Sequence, residues 1–306
     1  MITKEKYTYS RINNLALDPD GFVDSCYTAY RESVYETAKN IFDDESKKII
    51  MLAGPSSSGK TTTAKLIAGA VKSLGAECYT VSLDDFYYSH SEGKYPLDEN
   101  GDPDYECVEA LDLELMHRCL GELIGNKRSS FPVFDFSRGE RIDNAREIVL
   151  DKNDVIVIEG IHALNPVIAE TLPLQNLFKL YVSVSSRVYE NDGSVLLSKR
   201  DLRFVRRLIR DCRERAMTPD STFDLWSRVL RGEDKYLFPF EHLADKKINS
   251  FHPCEPCLMA PEALRLLAKA ESFKDKAALL SDKLRVFKQI DYSILPQDAL
   301  LREFTG

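Results

Sequence analysis

The 306-residue chain has no uninterrupted apolar run of the roughly 18 residues that a membrane-spanning helix requires. Its first residues are polar and lack the apolar core of a secretion signal. It also has no excess of basic residues, and its net charge of −8 disfavours a general binder of nucleic acid or anionic membranes. These absences lead us to expect a cytoplasmic protein without nucleic-acid or membrane partners.

The seven cysteines lack the spacing of a disulfide framework. Cys254 and Cys257 form a CxxC pair, but a zinc site needs a second ligand pair, and none stands at a suitable spacing. We therefore expect reduced thiols, as in cytosolic proteins. A composition of 43% hydrophobic and 29% charged residues is that of an ordinary globular protein, and the length allows one large domain or two smaller ones.

Short apolar runs alternate with helical patterns over most of the chain. The strand-like runs are residues 48–53, 78–83, 155–158, 179–184 and 246–249. Strands that alternate with helices predict an α/β fold with a central parallel sheet and helices on both faces. Residues 131–136 and 147–150 could pair as a small antiparallel appendage. Ligands of such folds bind beyond the carboxyl ends of the strands.

A glycine-rich turn follows the first strand-like run and precedes a helical pattern. Gly54-Pro-Ser-Ser-Ser-Gly-Lys-Thr61 matches the GxxxxGK[ST] P-loop in full. In such a loop the backbone N–H groups face phosphates, the lysine bridges the terminal phosphates, and the threonine hydroxyl reaches Mg²⁺. We predict a P-loop NTPase fold that binds ATP and Mg²⁺ through Gly54, Ser56, Ser57, Ser58, Gly59, Lys60, Thr61 and Thr62.

Carboxylates end two of the other strand-like runs. Asp84 and Asp85 follow one of them, and Glu159 closes residues 155–158. Asp84 could take a proton from an acceptor hydroxyl or ligate metal, or both aspartates could be only capping or solvated loop charges. Glu159 resembles the acidic residue that holds Mg²⁺ in P-loop proteins, so the predicted metal ligands are Thr61, Glu159 and Asp84. His162, which follows closely, is more often structural than catalytic in such a place.

Arginines cluster on one predicted helix over residues 197–215. Arg203, Arg206, Arg207 and Arg210 recur at a spacing that places them on one face, and Arg213 and Arg215 follow. They could form a solvated face paired with Asp201, Asp211 and Glu214, or bind phosphate as an arginine-rich lid helix. We predict a mixture in which Arg207, Arg210 and Arg215 meet ligands.

Taken together, these motifs resemble the uridine kinase/phosphoribulokinase family of P-loop kinases. The resemblance covers about residues 48–249 and includes GPSSSGKTT, SLDDFY, DYECVEALDLE, PVFDF, VIVIEGIHALNP and RRLIRDCRER. It is strongest to the uridine-kinase-like module of threonyl-tRNA-synthetase-like fusion proteins. With about 45 residues before the kinase core, we expect no synthetase-like domain in this chain. The expected parts are an N-terminal helical extension (1–45), a P-loop kinase domain with its appendage and lid (46–260), and a C-terminal helical extension of that domain (261–306).

The resemblance implies a role for several residues. Asp84 matches the catalytic base, and Lys60, Arg210 and Arg215 match residues that stabilise the transferring phosphoryl group. Tyr87, Glu106, Phe134 and Arg207 match positions in or near the acceptor site. The chain departs from the pattern at Phe134, Gly139 and Met217, where uridine kinases usually carry tyrosine, histidine and arginine. These departures concern pyrimidine recognition and the end of the lid motif.

The function that follows is ATP-dependent phosphoryl transfer to the 5′-hydroxyl of a nucleoside, with uridine or cytidine as the expected acceptor. Another hydroxylated small molecule, such as a sugar phosphate or a pantothenate-like compound, remains an alternative acceptor. A third hypothesis is a regulatory protein that binds ATP without an acceptor. The protein could also form a homo-oligomer.

Overall fold

The computed structural model describes residues 6–99 and 101–306. The start of the chain, on which part of the secretion-signal prediction rests, lies outside the described residues. The strands are β1 (Tyr7–Thr8), β2 (Ile49–Ala53), β3 (Cys78–Ser82), β4 (Arg128–Asp135), β5 (Glu140–Val149), β6 (Val155–Glu159), β7 (Leu177–Ser183), β8 (Val188–Tyr189), β9 (Val195–Leu197) and β10 (Lys246–Asn249). The α-helices are α1 (Tyr9–Leu15), α2 (Pro19–Asp43), α3 (Lys60–Ser73), α4 (Leu113–Asn126), α5 (Lys199–Glu214), α6 (Pro219–Gly232), α7 (Glu255–Leu267), α8 (Lys274–Arg285) and α9 (Arg302–Thr305).

Five parallel strands form the central sheet in the order β10-β7-β2-β6-β3. Every residue of β2 and β6 is buried, as expected for inner strands covered on both faces. The predicted α/β P-loop fold is confirmed by this sheet. β2, β6 and β3 are neighbours, so the P-loop, Glu159 and Asp84 follow adjacent strands at the same edge of the sheet.

Apolar side chains pack on both faces of the sheet. Because side chains alternate along a strand, Ile50 and Leu52 of β2 point into one core, while Ile49 and Met51 point into the other. The first core is covered by α2, α3, α5, α7 and α8, and the second mainly by α4. The sheet therefore has helices on both sides, and its carboxyl edge remains available for a site.

The predicted N-terminal extension packs directly on the P-loop helix. Eight residues of α2 are buried, and the Tyr30 hydroxyl lies 2.7 Å from Oγ1 of Thr63 in α3. At the other end, α7 begins at Glu255 and so crosses the boundary expected at residue 260. Both extensions contribute to the core beside the sheet, and the proposed division into parts stays a prediction.

Two elements differ from the sequence-based expectation. The antiparallel appendage is longer than predicted, since β4 and β5 form a hairpin over residues 128–149. The sequence analysis also missed α6, which Thr218 caps through a hydrogen bond from the Ser221 amide. Within residues 6–99 and 101–306, no helix has the length and apolar character needed to cross a bilayer.

Candidate active site

The P-loop connects β2 to α3 with two residues in left-handed backbone conformation, Ser57 at φ 58° and Gly59 at φ 87°. Gly54 is required by close packing, because a Cβ built there would lie 2.1 Å from the carbonyl oxygen of Val182. The loop thus curls tightly over the end of the sheet. The Nζ of Lys60 donates to the carbonyl oxygens of Gly54 and Pro55, at 2.9 and 3.3 Å.

The arginine face of α5 lies against this loop. Nε of Arg203 donates to the Ser56 carbonyl at 3.1 Å, and a terminal nitrogen of Arg206 donates to the Ser57 carbonyl at 3.2 Å. A terminal nitrogen of Arg207 donates to Oγ of Ser56 at 2.9 Å. The shared face inferred from the spacing is therefore real, and it fixes the conformation of the loop.

Arg203 and Arg206 pair with other residues than the predicted Asp201, Asp211 and Glu214. Arg203 pairs with Glu233 at 2.6 Å, and Arg206 makes two hydrogen bonds of 2.6 and 2.7 Å with Glu255. All four side chains are buried. Glu233 also accepts a hydrogen bond from the Ser56 amide at 2.8 Å. Sequence reasoning missed Glu233 and Glu255 because nothing local marks a distant glutamate as the partner of an arginine.

The far end of α5 is organised around Asp211, whose side chain is fully buried. Arg207 lies 2.9 Å from one of its oxygens, and Arg215 and Arg210 lie 3.2 and 3.6 Å from the other. Burial lowers the pKa of Arg210, and the neighbouring Arg215 lowers it further. Most of α5 is buried because apolar residues occupy its remaining faces. The exposed residues of α5 are Lys199 and Arg200 at its start and Arg213 and Glu214 at its end, and a lid role remains a prediction for the segment from residue 213 onwards.

Asp84 lies at the carboxyl edge of the sheet, directly after β3. Burial raises the pKa of this carboxyl, and the positive charges of Lys60, Arg215 and Arg210 oppose the shift. These four residues are the predicted catalytic group. They lie within electrostatic reach of one another, although the chain separates them widely.

Glu159 ends the adjacent strand β6 and is buried. Its burial raises its pKa to about 7, against the lowering effect of Lys60. Oγ of Ser82 donates to it at 3.2 Å. Asp85, which follows Asp84 in the sequence, has a different role. It accepts a hydrogen bond from the backbone N–H of Phe134 at 3.2 Å. Asp85 thus ties the β4–β5 hairpin to the sheet, and Asp84 and Glu159 remain the predicted carboxylates of the site.

Aromatic rings gather beside Asp84, where the hairpin meets the segment after β3. The Tyr87 ring lies 5.8 Å from that of Phe134 and 6.4 Å from that of Tyr95. The Tyr87 hydroxyl donates to the carbonyl of Tyr105 at 2.8 Å, so its orientation is fixed. Tyr87 and Phe134, both predicted acceptor residues, are thereby brought together.

His90 belongs to the same aromatic cluster, which sequence reasoning did not reveal. Its ring lies 5.6 to 6.1 Å from those of Tyr95, Tyr105 and Phe134. A Cβ built at Gly139 would lie 2.2 Å from Nδ1 of His90, and Gly139 has φ 65°. The chain lacks a histidine at position 139, but a histidine ring from elsewhere fills the adjoining space. The one sign of this arrangement in the sequence is the glycine at position 139, which leaves room for another side chain.

Glu106 and Arg207 line a cavity of about 330 Å³ between the segment after β3 and α6. Burial raises the pKa of Glu106 to about 7, and Arg207 opposes the shift. Gly232 allows the close approach, since a Cβ there would lie 2.6 Å from that of Glu106. His162 is buried, and burial lowers its pKa to about 4, which keeps it neutral.

Thr62 follows the P-loop at the start of α3. Its amide and its hydroxyl both donate to one oxygen of Glu303, at 3.1 and 2.7 Å. The carboxylate comes from the C-terminal segment, which the sequence analysis did not connect to the site. Thr61 lines a groove of about 680 Å³ beside it.

A family model described as the phosphoribulokinase / uridine kinase family matches residues 49–254. The chain belongs to this family. A uridine kinase of Macrococcus caseolyticus is 32% identical over 64% of this chain and 85% of its own length. A uridine kinase of Bacillus cereus is 30% identical over 64% of this chain and 82% of its own. A solved D-glycerate 3-kinase of Cryptococcus neoformans is similar over 78% of this chain and 92% of its own, with 19% identity and a TM-score of 0.44.

Membership in the phosphoribulokinase / uridine kinase family makes the chain a phosphotransferase that acts on a hydroxyl group, with ATP as co-substrate. The predicted family and enzyme class are therefore confirmed. The matched region runs from the start of β2 to the residue before α7, so it includes the P-loop, both carboxylates and all of α5. The acceptor of this phosphotransferase is a small molecule.

Proposed function

We propose that this protein is a nucleoside kinase that transfers the γ-phosphoryl group of ATP to the 5′-hydroxyl of uridine or cytidine. The relatives named uridine kinase, which are 30–32% identical to this chain, support this acceptor. The observation that carries the proposal is Asp84, a carboxylate between the P-loop lysine and the aromatic cluster around Tyr87. An acceptor hydroxyl placed there would have a base beside it and a phosphate-binding loop opposite.

The proposed chemistry divides between the two sides of Asp84. On the acceptor side, Tyr87, Phe134 and His90 would stack on a planar base, and Glu106 with Arg207 would orient the sugar. Asp84 accepts the proton of the 5′-hydroxyl as the hydroxyl oxygen attacks the γ-phosphorus of ATP, and the bond from that phosphorus to the β-phosphate oxygen breaks to release ADP. On the donor side, Lys60, Arg210 and Arg215 stabilise the negative charge of the transferring group.

The residues present also suit Mg²⁺, which we propose as the metal. Glu159 is a buried carboxylate whose raised pKa reflects poor compensation of its charge. Thr61 and Asp84 would supply the other oxygen ligands. Among the described residues no group of three or more His, Cys, Asp and Glu could hold a metal by itself, so phosphate oxygens would have to complete this site. Bound Mg²⁺ would neutralise charge on the phosphates.

Replacement of the proposed base tests the mechanism. Asp84→Asn keeps the shape of the side chain but removes its basicity, so kcat should fall by about 10²–10⁴-fold while the KM for ATP changes little. Acceptor-dependent ADP release with uridine and cytidine measures both constants. The matched control is Asp85→Asn, since Asp85 holds the hairpin through the Phe134 amide. Unchanged turnover in Asp84→Asn would rule out the base assignment.

A panel of acceptors tests the substrate. Uridine and cytidine should support the fastest ADP release, ahead of purine nucleosides, a pentose phosphate and pantothenate. A faster reaction with one of the other compounds would move the proposal to that acceptor. Binding of ATP without any acceptor-stimulated ADP release would instead favour a regulatory protein.

Three finer expectations also remain proposals. They are the special likeness to the kinase module of threonyl-tRNA-synthetase-like fusion proteins, a cytoplasmic location without nucleic-acid or membrane partners, and a homo-oligomeric state. The sequence Leu300-Leu-Arg-Glu-Phe-Thr-Gly supports the first of them.

A further inference from the structure

The C-terminal segment from Leu295 to Gly306 lies against the P-loop. Leu300, Leu301 and Phe304 are fully buried. A Cβ built at Gly59 would lie 2.5 Å from the side chain of Leu300, so the segment is packed on the loop glycine itself. The backbone of this segment is thus anchored beside the phosphate-binding turn.

Further polar contacts hold the same segment in place. Arg302 donates to the carbonyl oxygens of Leu295 and Pro296, at 2.6 and 2.9 Å. Asp298 forms an ion pair with Arg31 of α2. The contacts of Arg302, the residue before Glu303, fix the position from which Glu303 reaches the P-loop, whereas the Asp298 pair is partly exposed and lies earlier in the segment.

Glu303 occupies donors that a phosphate would use. The first N–H groups of a helix have no partner within the helix and attract anions, the more so where a P-loop precedes the helix. Gly59 caps α3 without a side chain, and the Thr62 amide and hydroxyl are both given to the Glu303 carboxylate. A carboxylate oxygen and a phosphate oxygen cannot accept the same hydrogen bonds at the same time.

The charge of Glu303 is felt across the site. Its negative charge adds to the raised pKa of Glu159, and it opposes the lowering of the pKa of Arg210 that burial causes. A nucleotide triphosphate would bring further negative charge into the same space. Glu303 therefore opposes the nucleotide both by occupying its donors and by repulsion.

We propose that Glu303 is an internal competitor of ATP, which must displace this carboxylate from Thr62 to bind. The inference rests on the proposed role of the P-loop as the ATP site. Since Leu300, Leu301 and Phe304 stay buried, rotation of the Glu303 side chain alone frees the donors. The segment itself need not leave the loop. The competition sets the ATP concentration at which the enzyme becomes active.

The experiment measures ATP and ADP binding in the presence of Mg²⁺ by calorimetry, with the full chain. Glu303→Gln keeps the shape of the side chain and removes its charge. We expect ATP to bind about two- to fivefold more tightly, which is the effect typical of a charge near a helix N-terminus. Glu303→Ala, which removes both oxygens, should change the affinity in the same direction. Uridine affinity should stay unchanged in both.

Asp298→Asn is the matched control, because it removes an acidic charge from the same segment at a residue that pairs with Arg31 rather than with the loop. Its ATP affinity should equal that of the wild type. If Glu303 only caps α3, Glu303→Gln will lower the melting temperature and leave ATP affinity equal or weaker, which overturns the inference. A wild-type protein that binds no ATP, and does not differ from Lys60→Ala, overturns the proposed function as well.

Discussion

Glu159 illustrates how a single residue can serve a site at the expense of stability. Its pKa is raised to about 7 because the carboxyl is buried. The folded protein therefore holds this proton between pH 4.5 and 7, where an unfolded chain has released it. The free energy of unfolding therefore decreases as the pH rises through that window. A metal ion at this site would offset the loss.

Glu159→Gln should remove this pH dependence. At pH 8 the variant is expected to be more stable than the wild type by about 1–3 kcal/mol, while at pH 5 the two should be similar. Phosphoryl transfer should nevertheless be strongly reduced. Urea unfolding at the two pH values measures the difference. Glu106→Gln is a useful comparison because Glu106 titrates in the same range. An equal stability change at both pH values would contradict this account.

His90 offers a test of the acceptor side at the same scale. Because its ring forms part of the aromatic cluster with Tyr105 and Phe134, His90→Ala should raise the KM for uridine about tenfold, the effect of losing roughly 1.4 kcal/mol of ring contact. The KM for ATP should not change. Steady-state kinetics with His242→Ala, an exposed histidine, as control would check this. An effect on ATP alone would place His90 outside the acceptor pocket.

At the scale of elements, the buried pair of Arg206 and Glu255 connects α5 to α7. Both side chains are at most 1% exposed. Arg206→Ala leaves Glu255 as an uncompensated buried charge, so it should cost about 3–5 kcal/mol of stability. Urea unfolding measures the loss.

Two variants show whether the cost comes from burial. Arg285→Ala breaks the exposed pair with Asp282 and should cost less than about 1 kcal/mol. Replacing both Arg206 and Glu255 by methionine should recover much of the stability, since no charge is left buried. A double variant as unstable as Arg206→Ala would show that the hydrogen bonds to the loop matter more than the charge.

The same elements show what the sequence could and could not predict. The P-loop and the strands around it were predictable because motif and periodicity are local, and the carboxyl ends of neighbouring parallel strands must meet. The side-chain pairs that surround the loop were not predictable. Arg206 and Glu255 are 49 positions apart in the sequence, and Thr62 and Glu303 are 241 apart. Such pairings depend on tertiary packing, and many other carboxylates along the chain look equally suitable.

For the whole molecule, α2 shares a hydrophobic core with α3 and α5, so we expect the N-terminal helix to unfold together with the site. Val34 is 1% exposed, whereas its neighbour Tyr35 is 44% exposed. Val34→Asp buries a charge and should unfold the entire chain, while Tyr35→Asp should leave it folded. Circular dichroism reports the helices, and the single tryptophan, Trp226, reports on α6. If α6 stayed folded in Val34→Asp, the N-terminal helix would be a separate unit.

Thr62 and Glu303, which contact each other in the folded protein, are synthesised at different times. A ribosome that adds about 5–20 residues per second needs ~12–50 s to make the 241 positions between them. During that interval the P-loop of the nascent chain has its donors but not the carboxylate that later accepts from them. The nascent chain therefore exposes the Thr62 donors to ATP in its surroundings before Glu303 has been synthesised.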